Sequence, residues 1–171
     1  MKAFIFIGSV ITAAVVASVL MFSAAIGQAT SRVAPSSYYP PASVPGAFNP
    51  GVTQDNIKTT VCASGWTKTI RPPASYTDKL KAAQMTALKL TGKTSEYEED
   101  HYASLEIGGD PRNPLNLWPE PYAGQYGARV KDQVEDNLHR QLCAGKMTLA
   151  AVQSCITTDW VACGQRIGAI K

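Results

Sequence analysis

The stretch Tyr97–Glu120, YEEDHYASLEIGGDPRNPLNLWPE, decides how this chain folds. It contains His101, one of two histidines in 171 residues, directly behind Glu98, Glu99 and Asp100. A Gly-Gly-Asp-Pro turn at 108–111 follows, then Asn116-Leu117-Trp118-Pro119-Glu120. Tyr97, Leu105 and Ile107 are the apolar members of an imperfect alternation over 96–107, and Leu115 to Trp118 is a second short run. Two strands around a long turn are therefore predicted. Pro114 and Pro119 should keep the second strand short, because proline cannot donate to a ladder. Adjacent residues of a strand face opposite ways, so Asp100 and His101 reach one ligand only if the strand ends or bulges there. Under that condition a metal ligand, a general base and an orienting amide come together on one hairpin. The alternative is an exposed, charged hairpin without chemistry.

Helices flank this hairpin. Ser75 or Thr77 can cap a helix from Asp78 to about Leu90, with Leu80, Ala83, Ala87 and Leu88 on one face and Gly92 as its stop. From Gly127, Val130, Val134, Leu138 and Leu142 form a row with period four that Gly145 ends, leaving Lys131, Asp132, Glu135 and Asp136 to the other faces. Thr148 can cap a last helix whose buried stripe is Leu149, Val152, Ile156 and Trp160. Ahead of these, 52–70 reads as a short helical turn or strand and then extended chain, closed by Arg71-Pro72-Pro73. Trp66, Trp118 and Trp160 are expected as core anchors, and His139 on the solvent side of its helix. The fold class is α+β: a small hairpin among three helices.

The N-terminal part belongs to export rather than to the fold. After Met1-Lys2 the chain is almost continuously apolar from Ala3 to Ile26, with small residues at 23–25 and 27–29 where a peptidase would cut. Residues 1–29 thus read as a signal peptide, or as an anchor if uncleaved, since about 20 apolar residues span a bilayer. Residues 30–51, rich in Pro, Ser, Gly and Ala, read as a disordered or extended linker, and 52–171 as the domain. The rest of the chain is then secreted or periplasmic, with membrane contact only through residues 3–26. Four cysteines, Cys62, Cys143, Cys155 and Cys163, fit that compartment and allow three disulfide pairings. In an unbroken helix Cys155 and Cys163 would stand ~12 Å apart, beyond disulfide reach, so pairing them requires the helix to end after about Trp160. Cys62–Cys143 with Cys155–Cys163 is the favoured pairing. A zinc site is disfavoured, with no Cys-x-x-Cys and only His139 near a cysteine. The net charge of +3 and a pI near 8.7 are too mild for a nucleic-acid footprint by charge alone. The acids at 96–100 would repel a phosphate backbone unless a cation sat among them.

On YEEDHYASLEIGG, NPLNLWPEPY and KDQVEDNLHRQLCAG, the chain resembles HNH-type endonucleases, the His-Me finger or ββα-metal superfamily, and more narrowly a group of small exported bacterial proteins within it. The narrower likeness runs from about Pro45 to Trp160, the HNH motif itself from about Asp100 to Glu135. The resemblance implies a ββα-metal hairpin and helix, and metal-dependent hydrolysis of DNA or RNA with little sequence reading. It also implies roles for four residues. Asp100 would be a metal ligand, His101 the general base and Asn116 the residue that orients the imidazole. One divalent ion, Mg²⁺ or Mn²⁺, would bind, with Glu135 as second ligand and Asp132 or Glu120 as alternatives. Where the family offers a His or Asn on its helix, this chain has Gln125. The competing function is a non-catalytic exported scaffold of the same fold that binds a partner or the cell envelope.

Overall fold

The computed structural model describes residues 38–171; the apolar run at 3–26, its cleavage points and the first part of the linker lie outside them. The elements are α1 (Trp66–Ile70), α2 (Ala74–Ala87), β1 (Tyr97–His101), β2 (Leu117–Pro121), α3 (Ala128–Cys143) and α4 (Leu149–Arg166), with short 3-10 turns between them. Among the described residues this is an α+β fold: one antiparallel two-stranded hairpin, four helices and two disulfides.

β1 and β2 pair with Glu98 opposite Glu120, Asp100 opposite Trp118 and His101 opposite Leu117. Directly opposed residues share a face, so one face carries Glu98, Asp100, Trp118 and Glu120 toward α3, while Glu99 and His101 share the other. β2 is not cut short by proline: it runs through Pro119 to Pro121. In a two-stranded sheet every strand is an edge strand, and a residue without an N–H is tolerated there.

α3 buries Ala128, Lys131, Val134, Glu135, Leu138 and Leu142. That stripe follows the helical period of 3.6, so it takes Lys131 and Glu135 inward, contrary to their expected place on the other faces. α4 starts at a Thr148 cap, whose hydroxyl accepts from the Ala151 N–H at 3.2 Å, and buries the expected Leu149, Val152, Ile156 and Trp160. At Asp159 the backbone leaves the helix (φ −158°, ψ 89°) and its carboxylate accepts from the Ala162 N–H at 2.9 Å, capping a second helical segment. The break brings the Cα atoms of Cys155 and Cys163 to 5.6 Å, and they are bonded, as are Cys62 and Cys143. Two disulfides fit an oxidising compartment. Among the described residues no helix is long and apolar enough to cross a membrane.

Two further expectations are corrected. α2 begins at Ala74 after Pro73, one turn before Asp78, and Lys89 (φ 53°) rather than Gly92 supplies the left-handed residue just past its end. From Tyr38 onward the expected linker is laid on the core. Tyr38 accepts from the Trp160 indole N–H at 2.7 Å through its carbonyl, Tyr38 and Tyr126 stack edge to face at 5.4 Å, and Val44 is buried. Two tyrosines and a valine provide apolar area that composition averages over 30–51 conceal. The same segment braces the turn at 108–111, through the Asn49 N–H on the Gly108 carbonyl and the Asp110 N–H on the Ala47 carbonyl, both at 2.8 Å.

Candidate functional site: an acidic cavity at the end of the hairpin

The loop that joins the strands is held by its last residue. Asn116 is fully buried and its amide is fully used: Oδ1 accepts from the Ala103 N–H at 2.8 Å and the Ala47 N–H at 3.3 Å, and Nδ2 donates to the Ala103 and Asp110 carbonyls at 3.0 and 2.9 Å. Gly109 is required here because a Cβ on it would fall on the Ala103 carbonyl. Asp110 in turn accepts from the Arg112 and Asn113 N–H groups at 2.9 and 2.8 Å. Held from both sides, the Pro111 carbonyl points at His101 Nε2, 3.0 Å away. Asn116 was expected to bond the imidazole itself. The structure assigns that contact to the Pro111 carbonyl and leaves Asn116 one step behind it, on the neighbouring Asp110 carbonyl.

A carbonyl can only accept, so Nε2 of His101 carries the proton and a neutral ring has its lone pair on Nδ1. Burial pushes the His101 pKa down, against the Pro111 bond and the Asp100 charge, which pull it up. The ring is therefore neutral at pH 7. Because β1 ends at His101, Asp100 and His101 both line one cavity despite being adjacent. The cavity has a volume of ≈ 290 Å³, and its wall carries Glu98, Asp100, Glu106, Asp132, Glu135 and Asp136 against a single cation, Arg71. The Ser104 hydroxyl also lines it, buried and without a hydrogen-bond partner.

Behind Asp100 and Glu135 sits Lys131, 1% exposed. Its ammonium donates to Asp100 Oδ2 at 2.6 Å, to the His101 carbonyl at 3.3 Å and to Glu135 Oε1. Three donors thus meet three acceptors, and Lys131 holds together the two carboxylates expected to ligate a metal. Glu135 and Asp132 both reach the cavity, whereas Glu120 lies fully buried behind it, with the Asp100 carboxyl as its neighbour. Burial is the largest cause raising the pKa of Glu98, Glu120 and Glu135, and neighbouring carboxylates add to it, while Lys131 opposes it in all three. Carboxyl groups thus outnumber the one ammonium among them, and burial favours their protonated forms. Carboxylate oxygens are the donor type a hard divalent cation takes, but among the described residues the group of three His, Cys, Asp or Glu side chains whose donor atoms lie within 4.8 Å of one another is elsewhere, at Cys62, His139 and Cys143.

On the opposite face, Glu99 is a separate carboxylate: both of its oxygens are buried and unpartnered. Burial raises its pKa from the ordinary 4.5 to about 8, with Lys81 opposing and Asp100 assisting. A folded-state pKa above the unfolded value means stability that is present below about pH 4.5 and is lost as pH rises through 8. Glu99→Gln should remove that loss, so its advantage over the native chain should be larger at pH 8 than at pH 5 in urea denaturation. An equal difference at the two pH values would refute the burial of this carboxyl.

Lys131, weighed in the sequence as a grip on phosphate or as a member of a local ion pair, forms the ion pair; Arg71, Ser104 and the Pro111 carbonyl were not foreseen as parts of the site. The i,i+4 spacing of Lys131 and Glu135 on the buried stripe of α3 was the signal available for that pair. No family model, curated protein or solved structure matches this chain.

Proposed function

We propose that this exported domain is a divalent-cation-dependent phosphodiester hydrolase of the ββα-metal kind, acting on DNA or RNA with little sequence reading. The observation that carries the proposal is the locked tautomer of His101, whose proton-accepting nitrogen belongs to a neutral ring on the wall of an acid-lined cavity. Hydrolysis of a phosphodiester needs a water to lose a proton as it attacks phosphorus, and a neutral imidazole accepts it at Nδ1. Arg71, the one cation on the cavity wall, draws in the phosphate. Asp100 and Glu135, each with one oxygen on Lys131, and Asp132 at the rim are the groups that would hold Mg²⁺ or Mn²⁺. The ion, when bound, supplies Lewis-acid stabilisation of charge on the phosphate and leaving oxygen. Asn116 keeps the loop, and hence the Pro111 carbonyl, in register with the imidazole.

A second reading has its own observation. The Lys131 ammonium already pairs with both Asp100 and Glu135, as befits a scaffold that keeps the fold without the chemistry. Incubating the purified protein with plasmid DNA and with RNA in Mg²⁺, Mn²⁺ or EDTA separates the two, alongside thermal denaturation in the same solutions. The hydrolase should cleave only with the cation, and at 100 times the dissociation constant the cation should stabilise the fold by about 2.7 kcal/mol. A folded protein that neither cleaves nor gains stability is the scaffold. Stabilisation without cleavage of either nucleic acid would also overturn the hydrolase reading.

A further inference from the structure

A second donor set lies at the C-terminal end of α3. His139 precedes Cys143 by one helical turn, and donor atoms of Cys62, Cys143 and His139 all lie within 4.8 Å of one another. The two sulfurs are joined in a disulfide, and all three residues are half-buried, within reach of a solution reagent. The other disulfide is sequestered, with Cys155 at 6% and Cys163 at 1% exposure. His139 Nε2 lies 2.9 Å from the Val61 carbonyl, so it carries the proton, and a neutral ring keeps its lone pair on Nδ1. A carbonyl behind the far ring nitrogen is the support that metal-bound imidazoles have. Nδ1 also lies 3.6 Å from a Glu106 carboxylate oxygen.

We infer that reduction of Cys62–Cys143 converts this staple into a site for a thiophilic divalent cation such as Zn²⁺, held by the two cysteine sulfurs and His139. The reductant is a dithiol. Its two electrons break the S–S bond, its two protons go to Cys62 and Cys143, and it leaves as its own disulfide. On binding the cation both thiols lose their protons to solvent, two metal–sulfur bonds and one metal–nitrogen bond form, and a fourth position stays open for water or Glu106. Two thiolates and an imidazole are a zinc donor set, and their softness excludes Mg²⁺ and Ca²⁺, which take oxygen. Ile57, Val61, Leu138 and Leu142 pack in the core around this end of α3, so the sulfurs stay near each other once the bond is open. The helix end and the 52–62 segment are tied together in either state, by sulfur–sulfur or by sulfur–metal bonds.

The experiment treats the purified protein with a dithiol under anaerobic conditions and titrates it with Co²⁺ and then Zn²⁺. Alkylation and mass mapping report which cysteines have opened, and circular dichroism follows the fold. The expected result is selective opening of Cys62 and Cys143, one Co²⁺ per reduced chain with a thiolate charge-transfer band, displacement by Zn²⁺, and no such band from the oxidised protein. His139→Ala should weaken the affinity by at least the ~10-fold that loss of even an outer-sphere partner costs. The inference is overturned if the reduced, folded chain gives no thiolate band, or if His139→Ala binds as tightly as the native chain. It is overturned equally if Cys155 and Cys163 open first, or if reduction unfolds the chain and Zn²⁺ does not restore the fold.

Discussion

His101→Ala should lower the rate of phosphodiester cleavage by ~10²–10⁴-fold, the usual contribution of a positioned general base. The loss should fall on kcat, because the imidazole is proposed to act on the attacking water and not on binding of the nucleic acid. Cation-dependent thermal stabilisation should survive the substitution, since no proposed ligand is removed. Free imidazole should restore part of the rate in the variant, entering the space left on the cavity wall. The native pH profile supplies an independent check. Burial lowers the His101 pKa more than the Pro111 bond and Asp100 raise it, so the acid limb of the profile should lie below the ordinary 6.5 of a histidine. Activity then rises with pH through that lowered value and is full at neutrality. A variant that cleaves at the native rate, or an acid limb above 6.5, would remove His101 from the reaction.

How far the sequence disclosed this arrangement depends on which physical signal each residue carried. Elements set by local periodicity were readable: α3, α4 with its Thr148 cap, and the two strands around the Gly-Gly turn. The favoured disulfides are both formed, and Cys155–Cys163 closes across the break at Asp159 that the reach of a helix demands. What was hidden follows from tertiary packing. The apolar residues of α3 were read as a strict row of four, which drifts by about 40° per step around a helix of 3.6 residues per turn. The buried stripe corrects for that drift and takes in Lys131 and Glu135, polar residues that no apolar pattern marks. The partner of His101 is a backbone carbonyl of Pro111, and a backbone group leaves no trace in residue identity. Asn116 was read as the residue that orients the imidazole, but its four bonds go to main-chain groups, which only the folded loop brings within its reach. Tyr38, Tyr39 and Val44 were averaged into a low-complexity segment, although two aromatic rings and one valine suffice to dock it against Trp160.

Lys131→Met tests the other half of the site, where the fold and the chemistry compete. Methionine fills much of the same volume, so packing around the stem is largely kept and the substitution removes chiefly the charge. Asp100 and Glu135 are then left buried without their ammonium, and breaking a buried ion pair from one side costs about 3–5 kcal/mol. Part of that cost can be avoided by protonating Glu135, whose pKa burial already raises and Lys131 opposes. Raised carboxyl values mean stability that is present at low pH and lost as pH rises, so the destabilisation should be smaller at pH 5 than at pH 8. In the native chain the Lys131 pKa is held well above its ordinary value by Asp100 and Glu135 against burial, so its own contribution persists through neutrality and fades only in strong alkali. Urea denaturation of both proteins at pH 5 and pH 8 measures the effect. Adding Asn at position 100 in the variant should recover part of the loss, because one of the two stranded charges is gone. Mn²⁺ makes the decisive comparison: with Lys131 removed, the carboxylates should recruit the ion from the interior side as well, and it should stabilise the variant more than the native chain. If Lys131→Met is as stable as the native protein at both pH values, the carboxylates are not held by this lysine. If Mn²⁺ stabilises neither protein, the acidic cavity is not a cation site, and the excess of buried carboxyl groups is carried by protons alone.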